Sequence, residues 1–257
     1  MEKGKILFVS PAHPLLMELL EGAGFRCECA FEDSKEEIEK RLEDCVGVVV
    51  RSRFPIDRTF LEAGKNLRFV AREGVGIEHI DQEAARRLGI EVLTSPEGSR
   101  DTVAEHTLGL LLALMNHLPR ADRQVREGQW LREANRGVEI KGKTVGILGY
   151  GNMGQAFAQR LQGFACRVIA YDKYKSAYGD AFAEEVPLET LFEEADILSI
   201  HIFYEPANHY FVNDAFLRRF RKPIYLVNTA RGLVLNTADL VKHLEAGTVR
   251  GAALDVL

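Results

Sequence analysis

Between residues 143 and 154 the chain reads K-T-V-G-I-L-G-Y-G-N-M-G, an apolar run feeding three glycines spaced G-x-G-x-x-G. Alone, such a glycine turn is weak evidence, since glycine-rich turns are common; its context gives it weight. Residues 145–148 read as a short buried strand, and residues 155–164 have helix-forming composition. Gly149 supplies the tight turn, Gly151 lets a phosphate approach the backbone, and Gly154 lets the helix pack on the strand. Strand, glycine turn and helix in that order aim backbone N–H groups and a helix N-terminus at a pyrophosphate. A second apolar run, 167–171, ends at Asp172, close to the spacing at which an acidic residue holds the adenosine ribose. Gly149, Tyr150, Gly151, Asn152, Met153, Gly154 and Asp172 are therefore candidate ligands of a dinucleotide.

Asp172 also bears on which dinucleotide is taken. A carboxylate accepts a hydrogen bond from a free ribose 2′-OH and repels a 2′-phosphate. Two unit charges ~4 Å apart at an effective dielectric of ~20 interact by about 4 kcal/mol. NAD is the expected cofactor. Lys173 and Lys175, which follow, read as residues of a solvated loop.

A length of 257 residues suggests one large or two ordinary domains. The 46% hydrophobic and 28% charged content is that of a globular protein. A net charge of −5 gives no reason to expect nucleic-acid or membrane binding. The longest apolar run, 108–115, is far short of the ~18 residues of a membrane span. The N-terminal M-E-K-G-K does not resemble a signal peptide, so a cytoplasmic location is expected. The four cysteines fit a reducing compartment. Cys27 and Cys29 alternate with charged residues and are expected on one side of a buried strand. No further metal ligand stands near them, and no metal is expected.

The first hundred residues alternate strand-like runs (5–10, 25–31, 46–50, 67–71 and 91–93) with helical patterns (15–22, 35–42, 57–63 and 81–88). This is a doubly wound α/β unit. The stretch S-P-E-G-S, 95–99, reads as a hinge. A strongly apolar helix over 101–118 follows, ending at Pro119; apolar on more than one face, it must be buried on more than one side. Strand-like runs at 144–148, 167–171, 197–201, 224–228 and 251–256 then repeat the alternation. The expected architecture is α/β, with two doubly wound parallel-sheet domains, residues 1–98 and 99–257, and a cleft between them.

Five motifs carry a resemblance to a known family: A-R-E-G-V-G-I-E-H-I-D (71–81), T-V-A-E-H (102–106), G-Y-G-N-M-G (149–154), N-T-A-R-G (228–232) and G-A-A-L-D-V (251–256). In that order the chain resembles the D-2-hydroxyacid dehydrogenases, most closely their phosphoglycerate-dehydrogenase-like branch. The resemblance implies a flavodoxin-like substrate domain followed by a Rossmann NAD-binding domain. It implies hydride transfer between NAD and a D-2-hydroxy acid or 2-keto acid, and a homodimer built through the 101–118 helix and the segment after it. Arg231 matches the family's catalytic arginine, whose planar fork of donors suits a carboxylate. Gly74, Val75 and Gly76 match the loop whose N–H groups take the substrate carboxylate. Ser52 and Arg53 match polar positions on the same face. Thr229 and Ala230 match residues beside the nicotinamide, Asp255 the carboxylate that accepts from its carboxamide, and His201 a histidine on the adenosine side.

The chain also departs from the family pattern. Ser99 stands where an asparagine that contacts substrate is common, and H-I-F-Y-E at 201–205 replaces the usual H-x-P-L-T, altering the adenosine pocket. The family's catalytic glutamate and acid–base histidine, and a final helix returning to the first domain, follow the position of Asp255. The sequence given reads to Leu257 and holds none of them. Positioned acid–base groups contribute typically ~10²–10⁴-fold, so the 257-residue chain is expected to be a poor enzyme. The alternative expectation is an NAD-binding protein without turnover, such as an NAD-responsive interaction module.

Overall fold

In the computed structural model, which describes residues 3–257, the ten apolar runs named above are all strands. The chain divides into two units, Met1–Ser99 and Arg100–Leu257.

The first unit runs β1 (Lys5–Phe8), α1 (Pro14–Gly22), β2 (Arg26–Cys29), α2 (Lys35–Arg41) and β3 (Cys45–Val50). It continues through α3 (Arg58–Ala63), β4 (Phe69–Arg72), α4 (Gln82–Leu88) and β5 (Glu91–Thr94). All pairings are parallel, in the order β2-β1-β3-β4-β5. This is the flavodoxin-like order, with its switch point between β1 and β3. Successive side chains leave a strand on opposite faces. Thus Leu7, Val48, Val50 and Val70 join one core cluster with Phe60 and Leu61 of α3, while Ile6, Phe8 and Val49 join another beside α1. Local chemistry closes the helices. Ser34 and Glu37 form a capping box on α2; Asp81 accepts from the Ala84 N–H at 2.9 Å, and Gly89 at φ +70° ends α4.

The second unit opens with α5 (Pro96–Met115, entered from the first unit) and α6 (Leu118–Arg126). There follow β6 (Thr144–Leu148), α7 (Asn152–Arg160), β7 (Arg167–Tyr171), β8 (Glu184–Glu185) and α8 (Leu188–Glu194). β9 (Ile197–Ile200), α9 (Asp214–Leu217), β10 (Ile224–Asn228), α10 (Thr237–Glu245) and β11 (Val249–Leu254) complete it. The sheet order is β11-β10-β9-β6-β7-β8, all parallel. Counted from β6 this is the Rossmann order 3-2-1-4-5-6, and its switch point lies between β6 and β9.

Three expectations are corrected. The 95–99 stretch, expected as a hinge, is helical from Pro96, which starts α5, since proline suits the first helical position, where its missing N–H costs nothing; the boundary between the units falls at Ser99/Arg100. That helix stops at Met115, short of Pro119. His117 takes a left-handed conformation at φ 54°, and Leu118 and Pro119 begin a second helix. β2 is an edge strand, so Cys27 is only half-buried and Cys29 is exposed. No helix among the described residues is long and apolar enough to cross a membrane.

Candidate active site

The glycine turn leaves the C-terminal end of β6, the central strand of the second sheet. Gly149 adopts φ +94°, and a Cβ there would stand 2.8 Å from Ile202 and 2.9 Å from the His201 carbonyl. A Cβ on Gly154 would come within 2.2 Å of the Gly149 carbonyl oxygen, so only glycine lets α7 seat against the turn. At Gly151 a Cβ would meet nothing within 4 Å. The protein's own packing gives no reason for glycine there. Close approach of a ligand's phosphates does, and in this respect the turn fits a dinucleotide.

α7 starts directly behind this turn with Gly151 as its N-cap and no side-chain cap; Asn152 is exposed and Met153 half-buried. Tyr150 does not present its side chain to a ligand. It is 2% exposed, its hydroxyl donates to Asp180 at 2.9 Å, and burial with that carboxylate raises its pKa. Only its backbone borders the turn.

Asp172, just past β7, accepts from the Tyr150 N–H at 2.8 Å and from the Tyr174 N–H at 2.9 Å. Two of about four acceptor positions on the carboxylate are thereby used, which leaves room for a ribose hydroxyl. Lys175 lies exposed in the loop after β7, as expected, and reaches back to donate to the Tyr150 carbonyl at 2.7 Å. Its ammonium adds positive charge to the phosphate turn. Lys173 is exposed, 5.2 Å from the Tyr174 ring centroid.

On the other side of the switch point His201 ends β9. Its Nε2 lies 2.8 Å from the Ser199 hydroxyl and its ring 5.5 Å from that of Phe157, and burial pushes its pKa down to about 4. The imidazole is neutral at physiological pH. His201, Asp172 and the turn share the lining of one cavity of ≈ 200 Å³, together with Tyr174 and Phe203.

β10 leads into Thr229, Ala230 and Arg231. Asn228, fully buried, braces this corner: its Oδ1 accepts from the Ala230 N–H and its Nδ2 donates to the Arg231 carbonyl, both at 3.0 Å. Arg231 also donates to the Ala230 carbonyl at 2.6 Å. The Thr107 hydroxyl on α5 donates to the Val103 carbonyl at 2.7 Å, so Thr229, 2.9 Å away, is the donor in their shared hydrogen bond. Asp255 follows β11, its N–H on the Asn228 carbonyl at 3.0 Å. Its carboxylate lies 3.0 Å from Nε2 of His106. Sequence reasoning missed this pair. The partners are 149 residues apart and only the meeting of α5 with β11 brings them together.

In the first unit Ser52 and Arg53 line an open polar pocket with Ser10, Arg51, Arg72 and Glu73, beyond the C-terminal ends of β1, β3 and β4. Arg53 lines this pocket while its guanidinium is tied to backbone carbonyls. Its Nη1 donates to the carbonyls of Val9 and Ala30 at 3.2 and 3.1 Å, and its Nη2 to that of Asp33 at 2.5 Å. Arg51 pairs with Glu73 at 3.5 Å. Gly74 has φ +132°, a conformation that strains any residue with a side chain and favours glycine. Val75 is exposed and Gly76 buried. The Ser99 hydroxyl is shielded, with no hydrogen-bond partner among the described residues. No cluster of metal-ligating side chains occurs among those residues.

Comparison with known proteins agrees with this geometry. Residues 108–257 match the family model of the D-isomer specific 2-hydroxyacid dehydrogenase NAD binding domain. A hydroxypyruvate reductase of Thermotoga maritima is 38% identical over 222 residues, covering 86% of this chain and 72% of that protein. The D-3-phosphoglycerate dehydrogenase of Homo sapiens is 34% identical over 254 residues, or 98% of this chain. The match spans 48% of that enzyme, about half its length. Among solved structures, an NAD-dependent formate dehydrogenase of Staphylococcus aureus in complex with NAD superposes with TM-score 0.80 at 28% identity, covering 98% of this chain and 81% of that one. A glyoxylate reductase from Paecilomyes thermophila, 23% identical, shares the fold with TM-score 0.90 over 100% of this chain and 82% of its own. The chain belongs to the D-isomer specific 2-hydroxyacid dehydrogenase family, with NAD as its cofactor.

Proposed function

We propose that this chain serves as an oxidoreductase for a D-2-hydroxy acid and its 2-keto acid. The observation that carries the reading is Arg231, held by the buried Asn228 at the end of β10 in the same sheet whose first strand feeds the phosphate turn. NAD supplies the hydride acceptor. Arg231 offers a rigid fork of donors that holds a carboxylate and polarises the adjoining carbonyl oxygen. Asp255, steadied by His106, is the acceptor for a carboxamide, and Thr229 and Ala230 border the same end of the sheet. In the first unit, the Gly74–Val75–Gly76 backbone and Ser52 are expected to take the acid's anionic group. Arg51 and Arg72 in the adjoining pocket favour a substrate with a second anion, as in the phosphoglycerate branch. A homodimer is part of this reading, formed through α5 and the segment after it, where Leu118, Val125, Trp130 and Leu131 are exposed.

Proton transfer is the step these residues provide for least. In the second unit His106 is paired with Asp255, His117 sits at the left-handed break between α5 and α6, His201 faces the adenosine cavity, His209 bonds Tyr204, and His243 sits between Asp214 and Thr248. We therefore expect the 257-residue chain to bind NAD and to oxidise D-lactate, D-glycerate or 3-phospho-D-glycerate slowly, about 10²-fold or more below the ordinary enzyme range.

The test is NADH formation with each acid, beside a titration of NAD, for wild type and Arg231→Lys. Slow turnover of a D-acid, lost by a further ~10²-fold in the variant with cofactor affinity retained, supports the reading. Binding of NAD with no turnover of any D-acid would favour the NAD-responsive module instead.

A further inference from the structure

The cavity on the adenosine side of the second unit is walled by Leu148, Gly149 and His201 within and by Tyr174 and Phe203 at its mouth. Tyr174 and Phe203 are 58% and 56% exposed, yet their rings stack with centroids 5.8 Å apart and planes 29° from parallel. They come from the loops after β7 and β9, on the two sides of the turn. Tyr174 is fixed at three points: its N–H on Asp172, its ring on Phe203, and its hydroxyl donating to Glu205. Phe203 and Glu205 both belong to the 201–205 segment, H-I-F-Y-E, that follows β9. Two half-exposed aromatic rings, held rigid beside a largely apolar cavity and tied to the carboxylate expected to take the ribose, form a ready-made face for a flat base.

We propose that Tyr174 and Phe203, braced by Glu205, are the purine-stacking wall of this cavity, so that adenine binds against an aromatic pair and adenosine nucleotides lacking nicotinamide are ligands in their own right. This rests on the cavity being the NAD site. Stacking of a base on an aromatic ring contributes about 1–3 kcal/mol, or roughly 5- to 150-fold in affinity. Leucine keeps the apolar bulk and removes the π-face, and at half-exposed positions it leaves the fold intact.

Calorimetric titration of the 257-residue chain with ADP and with NADH tests the wall, using wild type, Tyr174→Leu, Phe203→Leu and Glu205→Ala. The expected result is that wild type binds both ligands and that each leucine variant raises both dissociation constants about tenfold. Glu205→Ala should produce a smaller shift in the same direction. Melting temperatures of the free variants should match wild type. Leucine variants that bind ADP as wild type does would overturn the wall while leaving the cofactor site standing, as would NADH binding without ADP binding. A wild type that binds neither ligand would overturn both.

Discussion

His201 shows how one residue joins the cofactor site to stability. Its pKa falls from 6.5 to about 4 because burial disfavours the imidazolium. The unfolded chain takes up a proton between these values and the folded chain does not. The stabilisation is therefore complete above pH ~6.5 and is lost as pH falls through ~4, on the order of 3 kcal/mol in all. Urea unfolding of wild type and His201→Gln across this range should show a shallower acid slope in the variant; equal slopes would mean the ring is solvated. The fingerprint glycines, Asp172 and Arg231 could be singled out because each stands in a short motif of fixed spacing. The three carbonyl partners of Arg53 lie 20 to 44 residues distant, so its hydrogen bonds could not be read from local spacing. The partners of the Tyr150 hydroxyl and the Lys175 ammonium, and the His106–Asp255 pair, were hidden for the same reason: tertiary packing, not local spacing, decides where those side chains turn.

Among the elements, α7 and its turn make the sharpest demand. Gly154→Ala forces a methyl onto the Gly149 carbonyl oxygen, a contact that backbone must yield to. We expect a loss of about 1–3 kcal/mol in chemical denaturation, together with weaker NAD binding. The strands were legible because parallel sheets covered on both faces need near-continuous apolar runs. β8 was not, since its two glutamates sit at the sheet edge without burial. The break between α5 and α6 was hidden because Leu118 and Pro119 can begin a helix as readily as end one, and only the left-handed His117 separates them.

At the scale of the molecule, the two sheet orders could be anticipated only through the family resemblance, since strand neighbours are set by long-range packing. α5 buries Ala104, Thr107, Leu111 and Met115 within its own unit. The apolar surface left exposed lies after it, at Leu118, Val125, Leu131 and above all Trp130, which is 81% exposed. If this segment is the dimer contact, Trp130→Glu should convert a dimer to a monomer in sedimentation, and in wild type Trp130, the chain's one tryptophan, should emit at longer wavelength when dilution dissociates the dimer. An unchanged sedimentation coefficient would place the contact elsewhere.

The central claim is that the 149–154 turn holds the cofactor's pyrophosphate, and Gly151→Ala tests it most directly, because a methyl there touches nothing in the protein. Titration of NADH into wild type and Gly151→Ala, with both melting temperatures recorded, is the measurement. The account predicts saturable binding by wild type and at least a tenfold (about 1.4 kcal/mol) loss in the variant at unchanged melting temperature. Equal affinities would contradict it.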